Sequence, residues 1–576
     1  MSGIVGWLDP FGVEPSRLID AAAPAAYRGS IELLTVTDSI VLGTLARPDE
    51  ARSASLTDRS VLVMDGRVDA TIAPPGAPAP IDRAPHEVMH DAMERRGPDA
   101  LNAFAAEFAL ALASPIEGRL TLARDAFGLH PLYVASMGRR FAFASDPAVL
   151  VRLGLASGEL DGDVIAAALA RSEPLDGRTA FRGVVELLPG SWLQVDVEGR
   201  REQGQWFEPE RLRGPRLRGN EAVDAVKEAV TRAVISRTGG GSTGVLLSGG
   251  RDSGSVAIAA ARAGIELTGL TQTFDDDLPV QEAALARDLA RREGIRWLPA
   301  PVASCPSWAE LQDVPRWSGT PLAHWAFPQA VGPIDAAADA GISVLLTGDG
   351  GDPLFSASDV AVLDLARTGR FVSAARATHA FHRVWHYPYS RIAKVAGRAV
   401  APRSLLRVRE RLRPVPPWVR HRVSYSFVEE TAPRSDRHSL LMQLRAPHPA
   451  GFDLDERLAQ TRGVRLAHPL LDLRVVGVAL SLGLRDRVPA PRPKPMLAAA
   501  FLGDLAATRV KMSFLAYYDR LARRMHAAYP ELFAPGNLSS RTGFVDGAAL
   551  KHAGTDRWRT ESLGAAVLEL WLREQL

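Results

Sequence analysis

The first two hundred residues alternate short apolar runs with turn-forming residues, a pattern that is typical of a sheet-rich domain. Each run has the length of a single strand. The runs that we interpret as strands are residues 40–45, 60–64, 108–113, 120–123, 141–144 and 192–197. The proline-rich segment from Pro74 to Pro80 cannot continue a helix or a central strand, so it predicts a surface loop inside this domain.

The hydrophobic pattern changes near residue 206. Residues 199–219 are polar and rich in arginine and glycine, and from Asn220 apolar residues recur at three-to-four-residue spacing, which predicts a helix. Further on, apolar strand candidates alternate with alanine-rich helices, as in parallel sheets with crossover helices. These segments are residues 244–247, 255–263, 267–274, 281–292, 334–340 and 344–346. We therefore predict two domains, residues 1–205 and 206–576.

Composition narrows the class of protein. The 576 residues are 46% hydrophobic, which is enough apolar surface for two sizeable cores. The formal charge is only +2, so no nucleic-acid partner is expected. Cys305 is the single cysteine, which excludes an internal disulfide and a cysteine-rich metal site. Neither a secretory signal nor a membrane span is evident, so we expect a cytoplasmic protein without a membrane partner.

The segment of residues 247–253 predicts an ATP-binding loop. It reads Leu-Ser-Gly-Gly-Arg-Asp-Ser and lies between an apolar strand and a helix. Side-chain-free glycines let backbone amides approach a phosphate, and the positive end of the following helix stabilises its charge. An acidic residue next to phosphates needs a cation, so Asp252 is expected to bind Mg²⁺. The predicted ATP-binding residues of this loop are Leu247, Ser248, Gly249, Gly250, Asp252 and Ser253.

A second acidic turn follows the apolar run 344–346 and reads Thr347-Gly348-Asp349-Gly350-Gly351-Asp352. At the carboxyl end of a neighbouring parallel strand it would face the same crevice as the first loop. We expect Thr347 and Gly348 to bind ATP and Asp352 to complete the magnesium site with Asp252. We also expect Gln272, near the end of the apolar run 267–274, to bind ATP.

Each of these motifs has a plainer interpretation. The first loop could be a glycine turn with a Ser or Asp helix cap, and the second could be a calcium-like or merely solvated turn. Arginines are dense from Arg367 to Arg437. That region is either a solvated helical face or a surface for an acidic peptide or protein partner.

These motifs, taken in order, resemble those of the asparagine synthetase superfamily. Residues 2–6, 27–29, 124–128 and 143–146 resemble a glutamine-hydrolysing domain, and residues 248–253 resemble the pyrophosphate loop of the synthetase domain. Residues 468–472 are similar to the family's Pro-Phe-Leu-Asp segment. The resemblance implies α/β and α+β folds: an N-terminal glutaminase-like sandwich of the Ntn type, and a C-terminal PP-loop ATP pyrophosphatase domain with a parallel sheet and helices.

Two departures from the family pattern bear on the substrate. Ser2 occupies the place of the nucleophilic cysteine, and serine is a poorer nucleophile because far less of it is ionised near neutral pH. We therefore expect no glutamine hydrolysis, so the amine must come from the substrate. β-Lactam synthetases carry a catalytic tyrosine at the position of Asp349. They also carry a glutamate near the Pro-Phe-Leu-Asp segment, where this sequence has Arg465. The Gly-Asp-Gly-Gly-Asp turn and the arginine-rich region resemble those of lasso peptide cyclases, which close a macrolactam ring.

That resemblance implies a reaction and a set of partners. ATP and Mg²⁺ would serve to adenylate an Asp or Glu side chain of a precursor peptide, and the peptide's own N-terminal amine would then displace AMP. Lys511, by likeness to the family's C-terminal Arg-x-Lys motif, is expected to stabilise the transition states, and Asp349 to position or deprotonate the amine. A leader peptidase and a leader-binding protein are the implied partners. The alternatives are β-lactam formation, asparagine synthesis from free ammonia, and a nucleotide-binding scaffold without catalysis.

Overall fold

The computed structural model describes thirteen segments: residues 3–47, 53–71, 84–170, 176–239, 241–274, 281–317, 327–411, 414–420, 433–445, 450–489, 492–503, 514–553 and 558–575. Three features of the sequence lie outside these described residues: Ser2, the proline-rich segment from Pro74 to Pro80, and Lys511.

The first domain is built on two antiparallel sheets. Its strands, in chain order, are β1 (Gly3–Leu8), β2 (Ser30–Thr37), β3 (Ile40–Ala46), β4 (Ser53–Leu56), β5 (Val61–Thr71), β6 (Phe104–Ser114), β7 (Arg119–Arg124), β8 (Tyr133–Met137), β9 (Arg140–Ala144), β10 (Val184–Glu186), β11 (Ser191–Asp196) and β12 (Arg201–Gln205). One sheet has the order β10-β8-β9-β1-β3-β2 and the other β12-β11-β7-β6-β5-β4. Its helices are α1 (Pro15–Ala21), α2 (Pro85–Arg96), α3 (Pro147–Arg152) and α4 (Gly162–Leu169).

Strand alternation explains why the two sheets stack. Ile4 and Leu8 of β1 point between the sheets, where they pack with residues of the opposite sheet such as Val63. The intervening residues Val5 and Trp7 point to the outer face, where they join a core shared with the surrounding helices. Both faces of β1 are therefore buried, and the sandwich core continues into the rest of the molecule.

The second domain contains a parallel sheet surrounded by helices. Its strands are β13 (Thr243–Leu246), β14 (Leu267–Phe274), β15 (Arg296–Val302), β16 (Val344–Leu346) and β17 (Arg465–Ala467), in the order β15-β14-β13-β16-β17. All four pairings between these neighbours are parallel. The fold class predicted from the sequence, a sheet sandwich followed by a parallel α/β sheet, is confirmed.

The helices of the second domain cover both faces of this sheet and extend beyond it. In chain order they are α5 (Gly219–Arg237), α6 (Arg251–Arg262), α7 (Gln281–Arg292), α8 (Trp308–Trp317), α9 (Pro328–Asp339), α10 (Gly351–Phe355), α11 (Ala361–Arg367), α12 (Phe371–Trp385), α13 (Tyr389–Val400), α14 (Arg403–Arg411), α15 (Asp436–Arg445), α16 (Ala450–Thr461), α17 (Leu473–Ser481), α18 (Leu484–Arg487), α19 (Pro495–Leu497), α20 (Leu515–Ala528), α21 (Leu538–Arg541), α22 (Gly547–His552) and α23 (Ser562–Gln575). Within the described segments, no helix combines the length and apolar character needed to cross a membrane.

A buried arginine joins the two domains. Arg237, the last residue of α5, is 1% exposed. Its guanidinium donates to Glu107 of β6 at 3.0 Å and to Asp472 at 2.7 Å, and it lies 3.0 Å from Asp69 of β5. Asp472 also caps the N-terminus of α17 by accepting from the Arg474 amide. This four-residue cluster, Arg237 with Asp69, Glu107 and Asp472, ties the sandwich to the helical layer of the second domain.

Candidate functional site

Three adjacent parallel strands deliver their carboxyl ends to one edge of the second sheet. β13 leads into the loop of residues 247–253, its neighbour β16 leads into the turn of residues 347–352, and β17 leads into His468. Ligands of open α/β sheets bind outside this edge. The two motifs that the sequence predicted to share a crevice therefore lie side by side.

The first loop is held by its own serines. Ser253 is buried, and its hydroxyl accepts from the Ser248 amide at 3.2 Å and lies 3.1 Å from the Ser248 hydroxyl. The Ser248 hydroxyl in turn accepts from the Gly250 amide at 3.1 Å. Gly249 has a φ of +62°, a left-handed conformation that glycine adopts readily. Helix α6 starts immediately afterwards, so its positive end points toward this loop.

The second turn packs directly against the first. A methyl group added at Gly348 would come within 2.6 Å of the Ser253 amide nitrogen, and one added at Gly351 would collide with the Asp252 carboxylate. Both glycines are therefore required by contact between the two turns. This contact brings the carboxylates of Asp252 and Asp352 into one site.

A lysine that the sequence analysis did not select lies between these two carboxylates. The Lys494 ammonium pairs with Asp252 and lies 2.7 Å from Asp352, and its side chain is 6% exposed. Its backbone is left-handed, with φ of +50°, which is uncommon for a residue with a side chain. Lys494 stands between Pro493 and Pro495, and the sequence holds only five lysines. This scarcity is the signal that could have drawn attention to it.

The residues at this point suit a magnesium ion bound together with phosphates. Mg²⁺ in nucleotide sites typically uses one or two carboxylates and takes its remaining ligands from phosphate oxygens and water. Asp252 and Asp352 already converge on one cation, the Lys494 ammonium. Among the described residues, no group of three or more His, Cys, Asp or Glu side chains forms a metal site by itself. The donor set therefore fits a metal that arrives with ATP.

The other predicted ATP-binding residues line or support this edge. Leu247 is buried, and its backbone bonds to β14 through the Leu270 carbonyl and the Thr271 hydroxyl, each at 2.7 Å. Gln272, near the carboxyl end of β14, donates to the Gln329 carbonyl at 2.7 Å. Thr347 is buried and its hydroxyl lies 2.8 Å from His468 Nδ1. The predicted roles of these residues in ATP binding stay predictions.

Asp349 marks the far side of the crevice from the first loop. Its side chain is 46% exposed, and its Oδ2 lies 3.1 Å from Nδ1 of the buried His468. On the other side of the imidazole, Nε2 lies 3.3 Å from Glu456 of α16. Although burial lowers the pKa of His468, hydrogen bonds with Asp349 and Glu456 raise it more strongly, to about 10. The histidine is therefore an imidazolium at neutral pH. Sequence reasoning missed both His468 and Glu456 as site residues.

Arg465 has no part in this group of hydrogen bonds. It is the first residue of β17, and its guanidinium donates to the Arg237 carbonyl at 2.8 Å. The acidic residue that contacts His468 beside the second turn is instead Glu456 of α16, nine positions before Arg465.

The first domain has its own buried polar cluster next to Gly3. A methyl group added at Gly3 would meet the Arg28 side chain at 2.7 Å, and the Arg28 guanidinium lies 3.7 Å from Asp65. Nδ1 of His130 lies 3.2 Å from the same carboxylate. Burial opposes ionisation of Asp65, but the charge of His130 holds its pKa below the usual value. The space beside the start of β1 is thus occupied by paired charges.

A glycine loop on a parallel sheet, joined to an antiparallel sandwich, defines a two-domain α/β protein whose candidate site lies at the carboxyl edge of the parallel sheet. The chain belongs to the asparagine synthase family, whose model matches residues 224–573. A model of the glutamine amidotransferase domain matches residues 82–207.

Among curated proteins, the amidase chyE of Penicillium rubens is 27% identical over 277 residues. That match covers 45% of this chain and 41% of chyE, so the chain spans less than half of the length of this relative.

Two solved structures are similar over about half of the chain. The first is glutamine phosphoribosylpyrophosphate amidotransferase from B. subtilis complexed with ADP and GMP, at 12% identity and a TM-score of 0.24, over 52% of this chain and 65% of that one. The second is an allosteric regulatory enzyme of purine biosynthesis, at 11% identity and a TM-score of 0.25, over 53% and 82%. TM-scores this low do not define a fold, so the fold class rests on the strand topology and the family models.

Proposed function

We propose that this protein uses ATP to activate a carboxylate as its adenylate and then forms an amide with an amine of the same substrate. The observation that carries this proposal is the meeting of Asp252, Asp352 and Lys494 beside the Ser248 to Ser253 loop. An anion-binding loop, a pair of carboxylates and a buried ammonium are the groups needed to hold a triphosphate and its pyrophosphate product. The specific proposal is a lasso peptide cyclase that closes a macrolactam ring.

Activation at the α-phosphate fits these groups chemically. The substrate carboxylate attacks the α-phosphorus, and pyrophosphate leaves with the electron pair of the broken P–O bond. The loop amides and the Lys494 ammonium would stabilise the negative charge that grows on the departing pyrophosphate. Asp252 and Asp352 would hold Mg²⁺, which supplies further charge neutralisation when bound.

The sequence supports an amine that comes from the substrate. Ser2 replaces the cysteine that would release ammonia from glutamine, so the second step needs another nitrogen source. Asp349 offers a partly exposed carboxylate on the same turn as Asp352. An N-terminal amine of a folded precursor peptide would make ring closure unimolecular, with a corresponding gain in effective concentration.

The partners follow from the family resemblance. A precursor peptide is the proposed substrate, and a leader peptidase and a leader-binding protein would act beside the cyclase. Lys511 would contribute charge stabilisation in the transition states, and its role stays a prediction.

Mass spectrometry on the full chain tests this function. The protein, ATP and Mg²⁺ would be incubated with the short peptide encoded beside its gene, with and without glutamine. The expected result is a peptide that has lost one water, formed together with AMP and pyrophosphate, at a rate that glutamine does not change. Asp252→Asn should abolish the product.

Other products would overturn the proposal in different ways. Asparagine formed from aspartate and ammonia would identify an ammonia-dependent synthetase, and a cyclised small amino acid would identify a β-lactam synthetase. Absence of AMP with every peptide and amino acid offered would identify a nucleotide-binding scaffold.

A further inference from the structure

A line of three ionisable side chains runs from the crevice into the protein interior. Asp349 stands at the crevice end with 46% of its side chain exposed, whereas the side chains of His468 and Glu456 are 3% and 7% exposed. The imidazole links the two carboxylates through its two nitrogens, at 3.1 and 3.3 Å. Glu456 Oε2 is buried and has no hydrogen-bond partner among the described residues, whereas Oε1 of the same carboxylate lies 3.3 Å from the imidazole.

The charge of His468 follows from its carboxylate neighbours. Burial lowers the pKa of the ring, but hydrogen bonds with Asp349 and Glu456 raise it to about 10, so the ring is an imidazolium. Burial, together with the charges of Asp349 and Glu456, raises the pKa of the adjacent Asp455 to about 8, so Asp455 is neutral at pH 7. The imidazolium is therefore the cation that faces the Asp349 carboxylate.

Charged groups on neighbouring strands also act on this line of side chains. Glu107 of β6 acts on the imidazole, but it is paired with Arg237. The positive Arg465 of β17 is attracted by Glu107 and Glu456 and repelled by Arg67 and Arg237. The Thr347 hydroxyl, which also lies against the ring, is neutral. Asp349, with 46% of its side chain exposed, is the accessible carboxylate beside the imidazole, whereas Glu456 is buried.

We infer that His468, itself anchored by Glu456, positions the Asp349 carboxylate to accept the proton of the attacking amine. The inference rests on the proposed function, since it assigns the base of the amide-forming step. The neutral amine nitrogen bonds to the acyl carbon of the adenylate, and the bond from that carbon to the AMP oxygen breaks, so AMP departs with the electron pair. The nitrogen, positive after attack, gives its proton to Asp349, which returns it to solvent. The imidazolium keeps its own proton and holds the carboxylate ionised.

Two variants separate positioning from a merely structural role. His468→Asn keeps a donor near the place of Nδ1 but removes the positive charge. Glu456→Gln keeps the shape of the side chain but removes the negative charge that sustains the imidazolium. His90→Asn, at a buried histidine of the first domain that bonds to Ser55 and Ser60, is the matched control.

Three readouts would be compared on the full chain: ATP–pyrophosphate exchange with the linear peptide, trapping of the acyl adenylate by hydroxylamine, and macrolactam formation as a function of pH. Hydroxylamine is largely unprotonated at neutral pH and needs no base from the protein. For His468→Asn we expect exchange and hydroxamate formation near the wild-type rates, but ring closure slower by roughly 100-fold, the usual contribution of a general base. In the pH profile of ring closure by His468→Asn, the rise in rate on the acidic side should move to higher pH, because the Asp349 carboxylate has lost its cationic partner.

Glu456→Gln should shift the alkaline side of the pH profile of ring closure. Without the glutamate charge the imidazolium loses its proton at a lower pH, so ring closure should decline at a lower pH than in the wild-type protein. The control His90→Asn should keep the wild-type profile.

The inference is overturned if both variants close the ring at wild-type rates with unchanged pH profiles. It is equally overturned if exchange, trapping and ring closure fall together, since the histidine would then serve only the fold. If the wild-type protein itself shows no pyrophosphate exchange with any peptide, the proposed function fails first, and the inference fails with it.

Discussion

At the scale of single residues, the site depends on contacts between side chains that are far apart in the chain. Lys494 pairs with Asp252 across 242 positions, and both its left-handed backbone and its burial are set by the fold. The sequence predicted Asp252 and Asp352 because each follows an apolar strand, a local signal. Lys494 carries no such local signal except the scarcity of lysine, so its place became evident only from tertiary contacts.

We expect Lys494→Met to weaken adenylation by roughly 100-fold, because the departing pyrophosphate would lose a stabilising charge. ATP–pyrophosphate exchange measures this step directly. Lys551→Met, at an exposed lysine of α22, provides the matched control and should leave exchange unchanged. Wild-type exchange by the Lys494 variant would remove this residue from the ATP site.

At the scale of elements, the hydrophobic pattern predicted the central strands of the parallel sheet better than its two edge strands. Strand β14 and helix α7 have the bounds that periodicity gave, residues 267–274 and 281–292. Strand β15 was missed because its sequence contains two prolines, which an edge strand tolerates and a central strand does not. Strand β17 was missed because its three residues begin with a charged arginine, whereas the equally short β16 is an uninterrupted apolar run. The position of His468 was lost with it, since this residue follows β17.

The contact between the two turns can be tested with a single methyl group. Gly351→Ala places a Cβ against the Asp252 carboxylate, so the first turn of α10 and the first turn of α6 must move apart. We expect ATP–pyrophosphate exchange to fall by roughly 10-fold to 100-fold, because Asp252 and Asp352 would no longer converge on one site.

Gly397→Ala is the control for that variant. Gly397 lies inside helix α13 with no atom within 4 Å of an added Cβ, so alanine should be tolerated or slightly stabilising there. Normal exchange in Gly351→Ala would mean that the two turns can separate without loss of nucleotide binding.

At the scale of the whole molecule, the two domains are held together by buried charges as well as by apolar contacts. Arg457 of α16 adds a second link, since it donates to Asp146 of the first domain at 2.6 Å and both side chains are buried. Phe181 of the first domain also packs on Trp571 of α23, with ring centroids 5.5 Å apart. These links add a polar and an aromatic contact between the two domains.

Arg237→Met should destabilise the protein by about 3–5 kcal/mol, because it leaves the buried Glu107 without its ion-pair partner and leaves Asp69 and Asp472 with only Arg67 and Arg474. Thermal or denaturant unfolding of the full chain measures the change in free energy. Arg262→Met, which removes an exposed pair with Glu293, should cost less than about 1 kcal/mol. Equal effects of the two substitutions would show that the four-residue cluster does not hold the domains together.

Because of the acids in this four-residue cluster, the stability that Arg237 contributes should depend on pH. The charge of Arg237 outweighs burial and lowers the pKa values of Glu107 and Asp472 to about 2 each. A lowered pKa in the folded state stabilises the protein above the ordinary pKa of the acid, and this contribution disappears as the pH falls toward 2. The difference between the wild-type protein and Arg237→Met should therefore shrink in acid.

The same cluster offers a reason why the first domain would persist through evolution if, as proposed, it does not hydrolyse glutamine. Asp69 and Glu107 belong to the sandwich, yet they neutralise an arginine that terminates the first helix of the synthetase domain. A lineage that lost glutamine hydrolysis could discard the cysteine at once, but deletion of the whole sandwich would strand a buried guanidinium and uncover the apolar face behind it. A domain can thus lose its reaction and still be needed for the stability of its neighbour, and selection would retain the first domain as a scaffold for the second.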